Sequence, residues 1–118
     1  MRGRPSRLEA LGAAVAAAAL AACAGTGKQG PAATSTVDLP RSYRYAPAAI
    51  RVRAGTRVTW VNHDVFTHSV RLHEVGDSDQ VLKPGDSASY TFTRPGLYHY
   101  DCVFHTQMMK GTVEVTPP

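Results

Sequence analysis

The chain has 118 residues, with 13 Lys and Arg against 9 Asp and Glu, which gives a formal net charge of +4. This length is enough for one domain and excludes two domains with separate cores. Three arginines and one glutamate lie in the first nine residues, so the rest of the chain has ten basic and eight acidic residues, or +2. So small an excess, without a concentrated basic face, argues against nucleic-acid binding.

The N-terminal segment has the layout of a secretory signal peptide. Arg2, Arg4 and Arg7 precede an uncharged, alanine-rich run over residues 10–22, as a positive n-region precedes a short apolar h-region. The run is too short to cross a bilayer, which needs roughly 20 apolar residues. We therefore predict a signal peptide over residues 1–22 and export from the cytoplasm.

The predicted signal ends in "LAAC", residues 20–23, which resembles the bacterial lipoprotein box. The resemblance implies that Cys23 is lipidated and holds the protein at the outer face of the cytoplasmic membrane. The alternative is an ordinary signal peptide and a periplasmic protein. The chain has 2 cysteines, so lipidation of Cys23 leaves Cys102 without a disulfide partner. In an oxidising compartment such a thiol is oxidised unless it is buried or bound to metal.

After the signal, residues 23–35 are small, polar and rich in Gly and Pro, which predicts a flexible tether. The domain that follows, residues 36–118, shows apolar residues with a period of two and no convincing helical stripe. Residues 74–80, "EVGDSDQ", are predicted as a loop. Short runs punctuated by Gly and Pro predict an all-β fold, a Greek-key sandwich or barrel of about seven to eight strands. The alternating sets are Ile50 and Val52; Val58 and Trp60; His68, Val70 and Leu72; Ala88, Tyr90 and Phe92; Tyr98, Tyr100 and Cys102; and Val113 and Val115.

The alternation assigns several polar residues to faces of the strands. His68 and Cys102 fall on inward faces, whereas Ser69 and Asp101 fall on outward ones. We expect Asp101 to be an exposed charge, and Trp60 to be a core residue. Three other histidines are expected to be solvated: His63, His73 and His99.

The inward histidine and cysteine belong to a set of soft and borderline metal ligands. Cys102 precedes His105 by three residues, and Met108 and Met109 follow in the same loop. Two imidazoles and a thiolate in one plane, with a long axial methionine, form the electron-transfer copper site of blue-copper proteins. The ligand types therefore predict a copper centre.

The sequence resembles the cupredoxins of the plastocyanin, pseudoazurin and amicyanin group over residues 42–115. "YAPAAIRVRAGTRVTWVNHDVFTHSV" resembles the family's entry strands and first ligand, and "PGLYHYDCVFHTQMMKGTVEV" its ligand loop and closing strand. The resemblance implies a cupredoxin fold with one type 1 copper ion and His68, Cys102 and His105 as equatorial ligands. Relatives often have Asn after the first ligand, where this chain has Ser69, whose shorter hydroxyl can make part of the same hydrogen-bond network.

The axial ligand has two candidates in the sequence. A spacing of two residues after the second histidine, found in some relatives, selects Met108. The family's Met-x-Gly-x-Val anchor instead matches "MKGTV", residues 109–113, and selects Met109. We predict Met109.

No acid-base pair or nucleophile with an adjacent base is visible in the sequence, so we expect an electron carrier and not an enzyme. The resemblance implies that electrons pass through His105 at an apolar patch, which Val103, Phe104 and Met108 would form here. We expect a monomer that docks transiently with a cytochrome, an oxidase or another copper enzyme. The main alternative is a copper storage or delivery protein of the cell envelope. A zinc site of Cys and two His and a metal-free interaction domain are further alternatives.

Overall fold

The computed structural model describes residues 30–118. The predicted signal peptide and the lipidation of Cys23 lie outside the described residues and stay predictions. Within the described part, no helix has the length and apolarity needed to cross a bilayer. The elements in chain order are β1 Thr36–Leu39, β2 Ala49–Arg53, β3 Thr56–Asn62, β4 His68–Leu72, a 3-10 helix His73–Val75, β5 Ser78–Leu82, β6 Ser87–Phe92, β7 Gly96–Asp101 and β8 Lys110–Thr116.

The eight strands form two sheets, in the orders β1-β3-β6 and β2-β8-β7-β4-β5. β1 runs parallel to β3, and β2 runs parallel to β8, whereas the other neighbouring pairs are antiparallel. Inward side chains of both sheets share one apolar core. The predicted all-β fold is therefore confirmed.

The alternation seen in the sequence builds this core. In β3, Val58, Trp60 and Asn62 are buried, and the residues between them are exposed or half-buried. Trp60 is only 1% exposed, which confirms it as a core residue. Removing such apolar side chains from water, at roughly 25 cal/mol per Å², is the main force that brings the two sheets together.

Two edge strands were not predicted. β1 has only four residues, too few to show a period. β5 lies within the predicted loop and the residues after it, and only Leu82 of its five residues is buried. Each strand lies at the edge of its sheet, and β1 nevertheless buries Val37 and Leu39 in the core.

Two residues that the alternation assigns to outward faces are buried and not exposed. Ser69 is fully buried, because the chain after β7 crosses its face of the sheet and donates the Val103 amide to its hydroxyl. Asp101 has a side chain only 12% exposed, because Arg71 donates two hydrogen bonds to its carboxylate, each of 2.9 Å. In both cases another part of the chain covers the outer face of the sheet.

The last residues of the predicted tether are hydrogen-bonded to the domain. The Ala32 amide donates to the Ala49 carbonyl (2.9 Å), and the Arg51 amide donates to the Ala32 carbonyl (2.9 Å). Ser35 accepts a hydrogen bond from the Thr59 amide on its carbonyl (2.9 Å). The predicted boundary at residue 36 therefore falls within the hydrogen-bonded chain.

Candidate metal centre

Two neighbouring strands bring the candidate ligands to one end of the molecule. His68 is the first residue of β4, and Cys102 directly follows the last residue of β7. Because these strands pair antiparallel, the start of one lies beside the end of the other. His105 lies in the loop between β7 and β8, which turns over the same end.

The side chains of His68, Cys102 and His105 converge. Their ligand atoms all lie within 4.8 Å of one another. Cys102 Sγ lies 4.0 Å from His68 Nδ1 and 3.6 Å from His105 Nδ1. His68 and Cys102 are fully buried, whereas His105 is half-buried. The site is thus closed on the core side and reaches the surface at one imidazole.

Backbone hydrogen bonds close the loop from Cys102 to Met109. The Cys102 amide donates to the Met109 carbonyl (3.2 Å), and the amides of His105 and Met109 each bond within the loop, to the carbonyls of Cys102 (3.1 Å) and His105 (3.0 Å). The two methionines differ sharply in environment: Met109 is fully buried, and Met108 is 65% exposed. The closed loop therefore turns Met109, and not Met108, into the interior.

Ser69 ties the two ligand-bearing segments together. Its hydroxyl accepts a hydrogen bond from the Val103 amide (3.0 Å), and its carbonyl accepts one from the buried Tyr45 hydroxyl (2.6 Å). The residue after the first candidate ligand is thus bonded to the residue after the cysteine. The sequence-based expectation that this hydroxyl joins the loops is confirmed.

A buried carboxylate that the sequence reading missed lies behind His68. Asp64 is 4% exposed, and its Oδ2 lies 2.9 Å from His68 Nε2. The hydrogen bond to His68 lowers the pKa of the Asp64 carboxyl below its ordinary value and outweighs burial, which raises it. Carboxylates in loops are usually solvated, so burial of Asp64 was not expected. The only hint in the sequence was the spacing of four residues between Asp64 and His68.

An aromatic ring that the sequence reading also missed covers His105. The Tyr43 ring lies 4.6 Å from the His105 ring and 5.8 Å, nearly parallel, from the Phe66 ring, measured between centroids. Ser42 and Tyr43 have φ of 87° and 53°, a left-handed conformation that is uncommon for residues with a side chain. The backbone of this loop therefore bends so that Tyr43 packs over the half-buried imidazole.

The predicted docking residues lie around the same imidazole's loop. Phe104 and Met108 are 53% and 65% exposed, and Val103 is half-buried. Val65 and Phe66, in the loop before β4, are also more than half exposed. Four of the six large apolar residues exposed in the described chain therefore belong to the two loops that carry or precede candidate ligands.

The other histidines remain outside this cluster. His63, His73 and His99 are exposed, and they pair with Asp38, Asp77 and Glu74, respectively. In residues 30–118, His68, Cys102 and His105 make up the one group of three residues whose ligand atoms converge.

The two sulfur–nitrogen distances fit a metal ion that Cys102 would share with each histidine. With bond lengths of about 2.3 Å to sulfur and about 2.1 Å to nitrogen and an angle near 120°, a sulfur and a nitrogen ligand lie about 3.8 Å apart. The two sulfur–nitrogen distances here, 3.6 and 4.0 Å, bracket this value. Soft thiolate and thioether ligands with two imidazoles favour copper among biological metals.

Residues 31–116 match the family described as copper binding proteins, plastocyanin/azurin family. The chain belongs to this cupredoxin family. The predicted family is confirmed, and so is the predicted cofactor, copper.

Individual relatives support the assignment of this chain to the cupredoxin family. It is 34% identical over 111 residues to amicyanin-alpha of Methylorubrum extorquens, which covers 90% of this chain and 92% of the relative. It is 32% identical over 83 residues to plastocyanin of Scenedesmus fuscus, over 60% of this chain and 85% of the relative. Among solved structures, a purple cupredoxin from Nitrosopumilus maritimus matches with a TM-score of 0.61 and 26% identity, over 70% of this chain and all of the other.

Proposed function

We propose that this cupredoxin carries single electrons on a type 1 copper ion held by His68, Cys102, His105 and Met109. One observation supports this assignment most directly: a buried thiolate and two imidazoles converge beside a closed loop that also buries Met109. Copper in such a set cycles between Cu(I) and Cu(II), and a fixed geometry between the preferences of the two states keeps the rearrangement small.

The protein supplies that fixed geometry through hydrogen bonds around the ligands. The Ser69 hydroxyl fixes the cysteine loop against β4, and the loop's own backbone bonds fix His105 and Met109 relative to Cys102. His68, Cys102, His105 and Met109 would together supply four ligands to the copper ion and would leave no position open for a substrate. This filled ligand set supports an electron carrier over an enzyme.

Electrons enter and leave, in this proposal, through His105. It is the one member of the triad that is not fully buried, and its loop carries the exposed apolar side chains of Phe104 and Met108. We assign the docking patch to Val103, Phe104 and Met108, as the sequence predicts, and extend it to Tyr43 and Phe66. A small apolar patch suits transient docking with a redox protein, because such interfaces bury less than about 1,200 Å².

The proposed location is the cell envelope. It rests on the signal-like leader and "LAAC" at residues 20–23, and the proposed anchor is a lipid on Cys23. Expression in a bacterial host, followed by mass spectrometry of the N-terminal peptide from the membrane fraction, tests the anchor. A lipid mass on Cys23 that Cys23→Ala abolishes, with release of the protein from membranes, is the expected result.

Copper loading tests the centre itself. The oxidised protein should be intensely coloured through thiolate-to-copper charge transfer, and Cys102→Ser should abolish the band. Met109→Leu should shift the band and the reduction potential, whereas Met108→Leu, the matched control on the exposed methionine, should change neither. A wild-type protein that stays colourless after copper loading and oxidation contradicts the proposed function.

Voltammetry separates an electron carrier from a copper delivery protein. A carrier should cycle reversibly at an electrode with its copper retained, since both oxidation states share one ligand set. Copper released into the buffer on every reduction would instead favour delivery. Metal content measured after repeated cycles decides between these two functions.

A further inference from the structure

We propose that Asp64 is a positioning residue that acts through His68 and biases the copper centre towards its oxidised state. The inference rests on the proposed function, because it assigns a role to a side chain that contacts one proposed ligand. It adds a residue outside the proposed ligand set.

The geometry of the His68 ring gives Asp64 its role. Nδ1 faces Cys102 Sγ at 4.0 Å, and Nε2 faces Asp64 Oδ2 at 2.9 Å. A ring nitrogen that binds a metal uses its lone pair, so the proton of the neutral imidazole then resides on the other nitrogen. His68 Nε2–H therefore donates to the carboxylate, which fixes both the tautomer and the direction of Nδ1.

The loop before β4 holds the carboxylate rigidly. Asp64 Oδ1 accepts a hydrogen bond from the Val65 amide (2.7 Å), and the Asp64 amide donates to Asn62 Oδ1 (2.9 Å). The fully buried Asn62 in turn donates to the carbonyls of Leu82 (2.9 Å) and Phe66 (2.8 Å). Both oxygens of Asp64 thus have partners, and the Asn62 amide bonds the loop to β5.

The negative charge of Asp64 determines which oxidation state of the copper ion it favours. Its carboxylate side chain is 2% exposed, so solvent screens it little. Divalent copper, one thiolate and one carboxylate are together neutral, whereas monovalent copper leaves a net negative charge in the same buried volume. A fixed buried anion therefore favours the higher oxidation state of a metal bound beside it.

Replacing the carboxylate by an amide tests this role. Asp64→Asn removes the charge and keeps an oxygen that can accept from His68 Nε2–H, and Asp79→Asn makes the same charge change at an exposed position of β5. We expect Asp64→Asn to reduce the preference for Cu(II) over Cu(I) at least about tenfold, which is a rise of about 59 mV for one electron. Asp79→Asn should leave the potential at the wild-type value.

The outcomes distinguish this inference from the proposed function. A wild-type protein without the charge-transfer band refutes the proposed function before the comparison begins. If the wild type and Asp64→Asn both show the band, but the potential of Asp64→Asn equals that of Asp79→Asn, the role of Asp64 is overturned and the carboxylate serves folding alone.

A measurement on the wild type keeps the inference testable if Asp64→Asn does not fold. The Cu(I) protein is diamagnetic, so its imidazole N–H protons are accessible to NMR. We expect a slowly exchanging His68 Nε2–H, because it donates to a buried carboxylate. A His68 ring that carries its proton on Nδ1, or whose Nε2–H exchanges as fast as a solvated imidazole, would overturn the inference.

Discussion

Gly111 lies where any side chain would collide with the core beside the copper centre. A Cβ atom added there would lie 2.3 Å from Tyr100 Cζ and 2.4 Å from its Oη. Its φ is not in the left-handed region, so alanine is excluded by packing and not by backbone strain. The Tyr100 ring itself is held by Tyr45 and Trp60, whose rings lie 4.7 and 5.3 Å away.

We expect Gly111→Ala to lower the free energy of unfolding by about 2–2.6 kcal/mol. Carbon atoms are best separated by about 3.5 Å or more, so the Tyr100 ring or β8 must move by more than about 1 Å. Overpacking of this kind costs typically 1–3 kcal/mol, and we take about 3 because the ring has little room to retreat. Alanine also reduces the conformational entropy of the unfolded chain, which offsets about 0.4–1 kcal/mol of this loss of stability.

The same substitution should disturb the ligands. Tyr100 pairs with Gly111, and Asp101 with Lys110, and this register sets Cys102 opposite Met109. We therefore expect a shifted charge-transfer band in copper-loaded Gly111→Ala.

Urea unfolding of the metal-free protein measures the loss, and Gly30→Ala is the matched control, because only an arginine side-chain atom at 4.0 Å lies near its added Cβ. In a double-mutant cycle, Gly111→Ala should cost less than about 1 kcal/mol when Tyr100 is already Leu, since the shorter side chain leaves space. Equal costs in the Tyr100 and Leu backgrounds would refute the proposed collision.

Three further substitutions test other features of the site and the sheet. Ser69→Ala should cost about 1–2 kcal/mol in urea unfolding, because it leaves the partly buried Val103 amide without its acceptor, and an unchanged stability would mean that water replaces the hydroxyl. Burial raises the pKa of Glu74, but hydrogen bonds from His99 outweigh it and lower the pKa overall. A depressed folded-state pKa stabilises the fold above the ordinary value of 4.5 and loses that effect as the pH falls through the folded value. The stability difference between wild type and Glu74→Gln should therefore shrink as the pH is lowered below about 4.5, and a constant difference across that range would contradict the assignment. Tyr43→Ala should speed removal of copper by a chelator severalfold, because it uncovers His105, whereas Tyr43→Phe should not; equal rates for both would show that the ring does not shield the site.

The candidate ligands came from strand alternation together with the resemblance to the family's ligand loop. His68 and Cys102 lie on inward faces of strands with clear alternation, and the structure buries both. Met109 was chosen over Met108 from the glycine two residues later, and the contact between Gly111 and Tyr100 gives that glycine a physical reason.

The alternation of a strand gave the wrong exposure for residues whose outer face is covered by another segment. Ser69 and Asp101 have the outward phase, yet a loop amide covers one and an arginine covers the other. The alternation of a single strand carries no information about what crosses it. The edge strands β1 and β5 were missed for different reasons. β1 buries Val37 and Leu39 but is too short to show a period, whereas β5 buries only Leu82 and is held mainly by hydrogen bonds to its neighbour.

The roles of Asp64 and Tyr43 could not be read from the sequence at all. Each belongs to a loop whose path is set by distant contacts, such as the bonds from Asn62 to Phe66 and Leu82. A solvated aspartate and a buried one look alike in a sequence. Only the folded loop shows that this carboxylate faces an imidazole.

The uneven distribution of exposed apolar side chains has a kinetic consequence. Behind the thiolate, the outer face of the sheet carries the Arg71–Asp101 ion pair, whereas four of the six exposed large apolar residues of the described chain surround the His105 side. If the protein carries electrons as proposed, an electron donor and an electron acceptor that both bind this apolar surface cannot be bound at the same time. The first partner must then dissociate before the second binds, so the rate of partner dissociation sets an upper limit on turnover.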